Sequence, residues 1–334
     1  MEDKIDFVVT WVDGNDPEWQ KEKNKYNPDN KKNNSISDMR NIRYRDMDCL
    51  KYWFRGIEKN APWVNKIYFI TCGQVPKWLN IDNPKLVLVN HKDYIPSKYL
   101  PTFNSNSIEA SINTIKGLSD KFVYFNDDMF IINKVLPRDF FKNGLPCDSM
   151  SLEPLIIMPT DNFHKKICND LEIINKYFNF HKFKKANKKQ IYSFKQGKHL
   201  FRTLSLLNYN TFVGFHNYHL PVPYLKKTFD EVWEREKDIL DLTMSFKFRN
   251  NRDSVNHWLF QYWQFASGNF VQRKQNFGKF TKISESETEK YILKSKYKII
   301  CINDTDKTIN FEDAKRKIIS SFEAKFPNKS SFEK

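Results

Sequence analysis

An α/β fold is predicted: a mostly parallel sheet with flanking helices, carrying a helical insertion. Three observations predict it. Short runs of β-branched and aromatic residues recur through the first 125 residues. Segments of helical period separate them. Beyond residue 140 the pattern turns basic and helical before strand character returns near the end. These shifts divide the 334 residues into 1–140, an α/β part, 141–213, a basic and mainly helical insertion, and 214–334, the remainder of the core.

The elements follow in order. "IDFVVTWV" (5–12) reads as a buried strand, and "DGNDP" as a turn with Gly14 and Pro17. Residues 20–38 are polar and read as a loop. Residues 44–60 repeat apolar side chains at spacings of three or four, which predicts a helix. "KIYFITC" (66–72) and "LVLVN" (86–90) are strands. "SNSIEASINTIKGL" (105–118) is a helix with Ser105 or Asn106 as N-cap, and "KFVYF" (121–125) another strand. Residues 160–210 are basic and helical. "GFHNYHLPVPY" (214–224), with Pro221 and Pro223, predicts an extended loop. Helices are expected over 225–240, 254–266 and 311–325, and a late strand over 297–304.

Composition bounds the function. Apolar residues make up 40% and aromatics 16%, enough for a sizeable core. Fifty-five Lys and Arg against 40 acids give a formal charge of +15, which attracts polyanions, anionic lipid or phosphorylated substrates. No basic stretch interleaves with aromatics as in a nucleic-acid module, so no nucleic-acid partner is expected. The five cysteines are scattered without a CxxC pair, against a disulfide framework or zinc cage. The N-terminal residues run straight into a strand, which predicts no signal peptide, and no apolar run is long enough to span a membrane. A cytoplasmic protein is expected, with peripheral contact at the inner face of the membrane allowed by its basic charge.

Three predicted strands end in acidic or amide residues: Asp13 and Asp16; Asn126, Asp127 and Asp128; Asn303, Asp304 and Asp306. Ligands of open parallel sheets bind at the carboxyl ends of strands. Carboxylates gathered there suit a hard cation such as Mg²⁺ on a substrate phosphate. Taken singly, each cluster reads more readily as turn or cap residues; three at strand ends favour a metal and phosphate site. His216 and His219, on the Pro-bearing loop, are candidate general bases, and His91 follows a strand and could line the same crevice. Arg249 and Arg252 are candidate phosphate forks. His257, on an apolar helix, reads as a core histidine. The absence of GxxxxGK[ST], GxGxxG and GxSxG disfavours a P-loop, a dinucleotide site and an α/β-hydrolase.

The segments "IDFVVTWVDGNDPEW", "RYRDMDCLKYWFRGIEKNAPWVNKIYFITCGQVPKWLN", "NPKLVLVNHKDYIP", "LPTFNSNSIEASINTIKGLSDKFVYFNDDMF" and "CINDT" resemble the Stealth family. That family contains bacterial capsular polysaccharide phosphotransferases and the lysosomal-targeting N-acetylglucosamine-1-phosphotransferase. The resemblance is nearly continuous over 4–140, returns at 216–266 and 297–327, and skips 141–213. It implies a GT-A/Rossmann-like core whose first part binds a nucleotide sugar, most simply a UDP-sugar. It implies transfer of the sugar 1-phosphate to a hydroxyl of a glycan acceptor in capsular or exopolysaccharide synthesis, with release of the nucleoside monophosphate. It further implies Asp127, Asp128 and Asp304 on Mg²⁺ (or Mn²⁺), His219 as base, and Arg249 on the phosphoryl oxygens. Asp13, Gly14, Arg43, Arg55, Asn104 and Asn106 would contact the donor. The alternative is a metal-dependent glycosyltransferase releasing UDP, because "NDD" also resembles the DxD metal motif.

Overall fold

The computed structural model describes residues 4–27, 37–38, 41–157, 162–304 and 310–334. Asp306 and part of the expected 20–38 loop lie outside the described residues. The chain begins β1 (Ile5–Thr10), α1 (Pro17–Lys25), β2 (Ser37–Asp38), α2 (Leu50–Asn60), β3 (Ile67–Thr71), β4 (Leu86–Asn90), α3 (Ser105–Ala110), β5 (Lys121–Asn126) and β6 (Met129–Ile131). It continues through α4 (Pro137–Phe140), β7 (Phe141–Lys142), β8 (Leu145–Asp148), α5 (Asn162–Tyr177), α6 (Phe180–Ala186), α7 (Lys188–Ile191) and α8 (His199–Ser205). Then come β9 (Val222–Leu225), α9 (Lys226–Arg235), α10 (Lys237–Ser245), β10 (Arg249–Asn250), α11 (Trp258–Ala266) and β11 (Val271–Gln272). β12 (Gly278–Lys282), α12 (Thr288–Lys294), β13 (Ile299–Asn303) and α13 (Phe311–Lys325) complete it.

The central sheet has the order β4-β3-β1-β5-β9. Its first four strands are parallel, as the α/β class requires, and β9 is antiparallel at the edge. Side chains alternate across a strand, so β1 sends Phe7 and Val9 to one face and Val8 to the other. α2 and α13 cover the first face with Phe54, Ile57, Ile318 and Phe322. α9, α10 and α11 cover the second with Phe229, Leu240 and Leu259. Each such side chain, fully buried, contributes about 1.5–3 kcal/mol relative to exposure. Both faces being covered explains why β1, apart from buried Asp6, and β3 read as largely apolar runs.

The sheet order reverses between β1 and β5. In register, Thr10 stands beside Ile70 and Asn126, so these strands end at one level. That is the switch point where open α/β sheets open a crevice. A second sheet, β12-β13-β6, abuts it. Asp127 and Asp128 form the whole connection between β5 and β6, and Ile302 donates its N–H to the Asp128 carbonyl at 2.9 Å. The two aspartates therefore sit where the sheets meet.

Several expectations are corrected. The polar stretch from residue 20 opens inside α1, because Asp16 caps Glu18 and Trp19 and Pro17 occupies the first turn. The helix expected over 44–60 starts only at Leu50: residues 41–44 form a 3₁₀ turn, and Asp48 takes φ +54°. The 105–118 helix stops at Ala110, and its N-cap is Asn104, whose side chain accepts from the Asn106 N–H. The 225–240 helix is two, broken at Glu236, and the 254–266 helix starts at Trp258. The end of the 214–224 loop is strand β9, where Pro223 is tolerated because an edge strand needs no further donor.

Candidate active site

Asp128 is the centre of the site. Its side chain is 19% exposed, and Oδ1 is buried without a hydrogen-bond partner among the described residues. His219 Nε2 lies 3.9 Å from Asp128 Oδ2. Burial pushes the Asp128 carboxyl above its ordinary range, opposed by His219 and by a hydrogen bond from the Cys301 thiol. Burial pushes Asp127 well above, with the charge of Asp128 adding to it. His219 itself holds a left-handed backbone, φ +50°, uncommon for a residue with a Cβ. Its ring stands edge-on to Phe280, 5.5 Å between centroids, and next to Trp258.

Two cavities meet here. A chamber of about 240 Å³ occupies the carboxyl ends of β1 and β5. A cleft of about 1200 Å³ runs along Glu153–Leu155, 194–199 and 274–280. Arg43, His219, Arg249 and Asn303 line both. Arg249 Nε donates to Ser105 Oγ at 3.0 Å. Below it, buried Glu109 accepts from Tyr124 Oη at 3.0 Å, and the same hydroxyl bonds Asn126 Oδ1 at 2.9 Å. Burial raises the Glu109 carboxyl, with Arg249 opposing. Lys166 of α5 is buried in the same charged group, its ammonium lowered to about 8 by burial and next by Arg249. His91 lines the chamber, and burial lowers it to about 4.

Other expected residues fall elsewhere. Asp304 lines the chamber but accepts from Arg45 Nε at 2.6 Å. The tight group of ligand atoms, all within 4.8 Å, is Asp128, His219 and Cys301, without Asp304 or Asp127. Arg55 is not in the chamber. It is buried against Glu333, at 2.8 and 2.7 Å, and donates to the Phe326 carbonyl, so it ties down the C-terminal segment. Asn104 spends its amide on the carbonyls of Thr243 and Phe246, and Asn106 points to Ser254. Their neighbour Ser105 faces the chamber instead. Arg252 is exposed beside Asp253 and lines neither cavity. Asp13 accepts from the Asn15 N–H and shapes the turn. Gly14 has a packing reason: a Cβ there would stand 2.0 Å from the Tyr44 carbonyl oxygen. His216 lies in the cleft, paired with Glu153 and 4.5 Å from the His199 ring. His257, expected in the core, sits half-buried at the start of α11, its Nδ1 bonded to the Tyr224 hydroxyl at 3.0 Å.

Sequence reasoning missed Glu109, Ser105, Lys166, Arg45 and Cys301. A lone carboxylate between Ile108 and Ala110 was the available signal for Glu109. Cys301, inside the apolar run of β13, carried none.

The donor set suits a divalent cation. An orphaned buried carboxylate oxygen beside a second carboxylate is what a hard ion satisfies. Burial drives the Cys301 thiol well above its ordinary range, so it stays a hydrogen-bond donor to Asp128. The arrangement combines an anionic pocket for a cation, arginines for phosphate oxygens and an imidazole at the mouth of a large cleft.

The family and sequence comparisons agree with one another. Family models described as Stealth protein conserved regions 1, 2 and 4 match residues 3–31, 43–147 and 290–334. The capsular polysaccharide phosphotransferase WcwK of Streptococcus pneumoniae is 49% identical over 99% of this chain and 98% of its own. The receptor polysaccharide phosphotransferase WefC of Streptococcus oralis is 43% identical over 99% of both chains. The exopolysaccharide phosphotransferase cps2G of Lactiplantibacillus plantarum is 37% identical over 99% and 96%. A solved galactosyltransferase, LgtC, superposes over 94% of this chain and 95% of its own with 10% identity and a TM-score of 0.38.

Proposed function

The chain belongs to the Stealth family, and from that premise we propose that it is a polysaccharide phosphotransferase. It moves a sugar 1-phosphate from a nucleotide sugar, most simply a UDP-sugar, to a hydroxyl of a glycan acceptor. The acceptor oxygen attacks the β-phosphorus of the donor. The bond from that phosphorus to the bridging oxygen breaks, and the nucleoside monophosphate leaves. The C1–oxygen bond of the sugar survives, so anomeric configuration is retained without a double displacement.

The observation that carries this reading is His219 at the shared wall of an acidic chamber and a large cleft, 3.9 Å from Asp128. A donor diphosphate in the chamber and an acceptor in the cleft would meet at its imidazole. His219 takes the acceptor proton at Nε2, a contribution of about 10²–10⁴-fold. Arg249, steadied by Ser105, and Arg43 bind phosphoryl oxygens, whose charge shifts toward the leaving phosphate in the transition state. Glu109 and Tyr124 hold Asn126 and so the aspartate turn. Asp128, with Asp127 beside it, would hold Mg²⁺ or Mn²⁺, which when bound neutralises diphosphate charge. Within segment 141–213, Glu153–Leu155, Phe194, Lys195 and Lys198 supply one wall of the cleft and through it acceptor choice. A nucleotide-sugar donor implies work on the cytoplasmic side, and the +15 charge supports peripheral contact with the membrane.

The test is the by-product. The purified protein is incubated with Mg²⁺, a glycan acceptor and a panel of nucleotide sugars. Release of a nucleoside monophosphate is expected with one donor. A nucleoside diphosphate would mean glycosyl transfer instead, and no turnover with any donor would remove the reading.

A further inference from the structure

Residues 173–229 contain no aspartate or glutamate, yet eleven lysines and arginines. At the chain's overall content of 40 acids in 334 residues, about seven would be expected there. No acid within the stretch pairs these charges, and only Lys176, with Glu236, and Arg202, with Glu153, are seen to reach acids outside it among the described residues; Lys182, Lys185, Lys188 and Lys189 are exposed. α6 carries Lys182 and Lys185, α7 carries Lys188 and Lys189, and α6, α7 and α8 pack in succession.

The same layer exposes its largest apolar side chains. Phe194 is 90% exposed and Phe201 80%. Ile156 and Ile157, 65% and 50% exposed, follow Leu155, which lines the cleft near α8. Arg202 of α8 bonds Glu153 and the Leu152 carbonyl, so the two stretches are neighbours. Phe194 and Lys198 stand on the rim of the cleft itself. Exposed phenyl and isoleucine side chains have no polar group to offer water, so they belong against an apolar partner. Set beside the exposed lysines of α6 and α7, they match the chemistry of a bilayer surface. Apolar side chains enter the headgroup–acyl boundary, and ammonium groups meet lipid phosphates. No described helix is long and apolar enough to cross a membrane, so the contact is peripheral.

We infer that the α6–α8 layer, with Ile156 and Ile157, is a docking surface for an anionic lipid bilayer. Docking there turns the mouth of the 1200 Å³ cleft toward the membrane, where an acceptor glycan rising from the lipid surface would enter. That last clause rests on the phosphotransferase reading, whereas the docking surface does not.

The test is co-sedimentation of the full chain with phosphatidylcholine vesicles, with and without about one third phosphatidylglycerol. Binding is expected only to the anionic vesicles, weakening as salt rises. Lys185→Gln/Lys188→Gln/Lys189→Gln should lose on the order of a hundredfold in partitioning. Ile156→Ser/Ile157→Ser/Phe201→Ser should also lose binding, while keeping the salt dependence of what remains. Both variants should release nucleoside monophosphate at the wild-type rate with a soluble acceptor. No binding to anionic vesicles, or undiminished binding by both variants, overturns the inference. So does sedimentation velocity in which the apolar variant abolishes self-association while vesicle binding persists, because the patch would then be a homodimer face. Vesicle binding is read without turnover, so its failure and that of the enzymatic reading are separable.

Discussion

The pair Asp127–Asp128 illustrates a residue placed against stability for a purpose. A carboxyl raised above its ordinary range favours the protonated form in the fold. At neutral pH its charge therefore destabilises the folded state. Asp128→Asn removes that charge and keeps the shape. Thermal unfolding should shift up by about 1–2 kcal/mol, a few degrees for a chain of this size, while nucleoside monophosphate release falls to background. His219→Ala makes the contrast. It should cost about 10²–10⁴-fold in turnover without the same gain in stability. Calorimetry and by-product release on the two variants check both halves. A stable, fully active Asp128→Asn protein would remove Asp128 from the chemistry.

At the scale of the element, the turn after β1 and the 41–44 turn are fitted against one another through Gly14. An added Cβ would sit 2.0 Å from the Tyr44 carbonyl oxygen, so one of the two backbones must move. Arg43 rides on the second, and Tyr44 Oη holds the Phe103 carbonyl at 2.9 Å. Gly14→Ala should therefore displace the arginine from the chamber. A drop of about 10²-fold in kcat/KM for the donor is expected, consistent with an ångström of misplacement, and an unchanged value would show that the wall yields harmlessly. The same region shows what sequence can and cannot convey. The four parallel strands were legible because both faces are buried, which leaves β-branched and aromatic runs. Asp127 and Asp128 were legible because two carboxylates between apolar runs have no local explanation. The breaks at 110 and 236 were not, since apolar period continues through them and tertiary packing decides where a helix stops. Nor could sequence choose between Arg45 and Arg55. Arg55's partner is Glu333, 278 residues away, and Arg45's is Asp304, 259 away.

For the whole molecule, the Arg55–Glu333 pair closes the C-terminal segment onto α2 at an almost buried site. Arg55→Ala removes the cation from a buried carboxylate, which keeps only the Ser330 N–H and hydroxyl, and takes Arg55's bond from the Phe326 carbonyl, which should cost about 3–5 kcal/mol in denaturant unfolding. Donor KM, measured where the variant is folded, should not change, in contrast to a residue that touches the nucleotide. Acid stability gives a second global handle. Burial lowers His91 to about 4 and His257 to about 3, against about 6.5 when unfolded. Between those values the unfolded chain binds the proton and the fold does not. Each histidine therefore contributes stability that is complete above pH 6.5 and is lost as pH falls toward the folded value. The raised carboxyls work in the opposite direction, so the wild-type profile alone mixes the two. A variant comparison isolates one group. His91→Gln cannot titrate, and its deficit relative to wild type should narrow by on the order of 2 kcal/mol between pH 7 and pH 5. Denaturant unfolding of both proteins across that range measures it. A gap that stays constant with pH would mean that His91 takes up its proton as readily in the fold as in the unfolded chain, and that the chamber wall it forms is wetter and more polar than its burial implies.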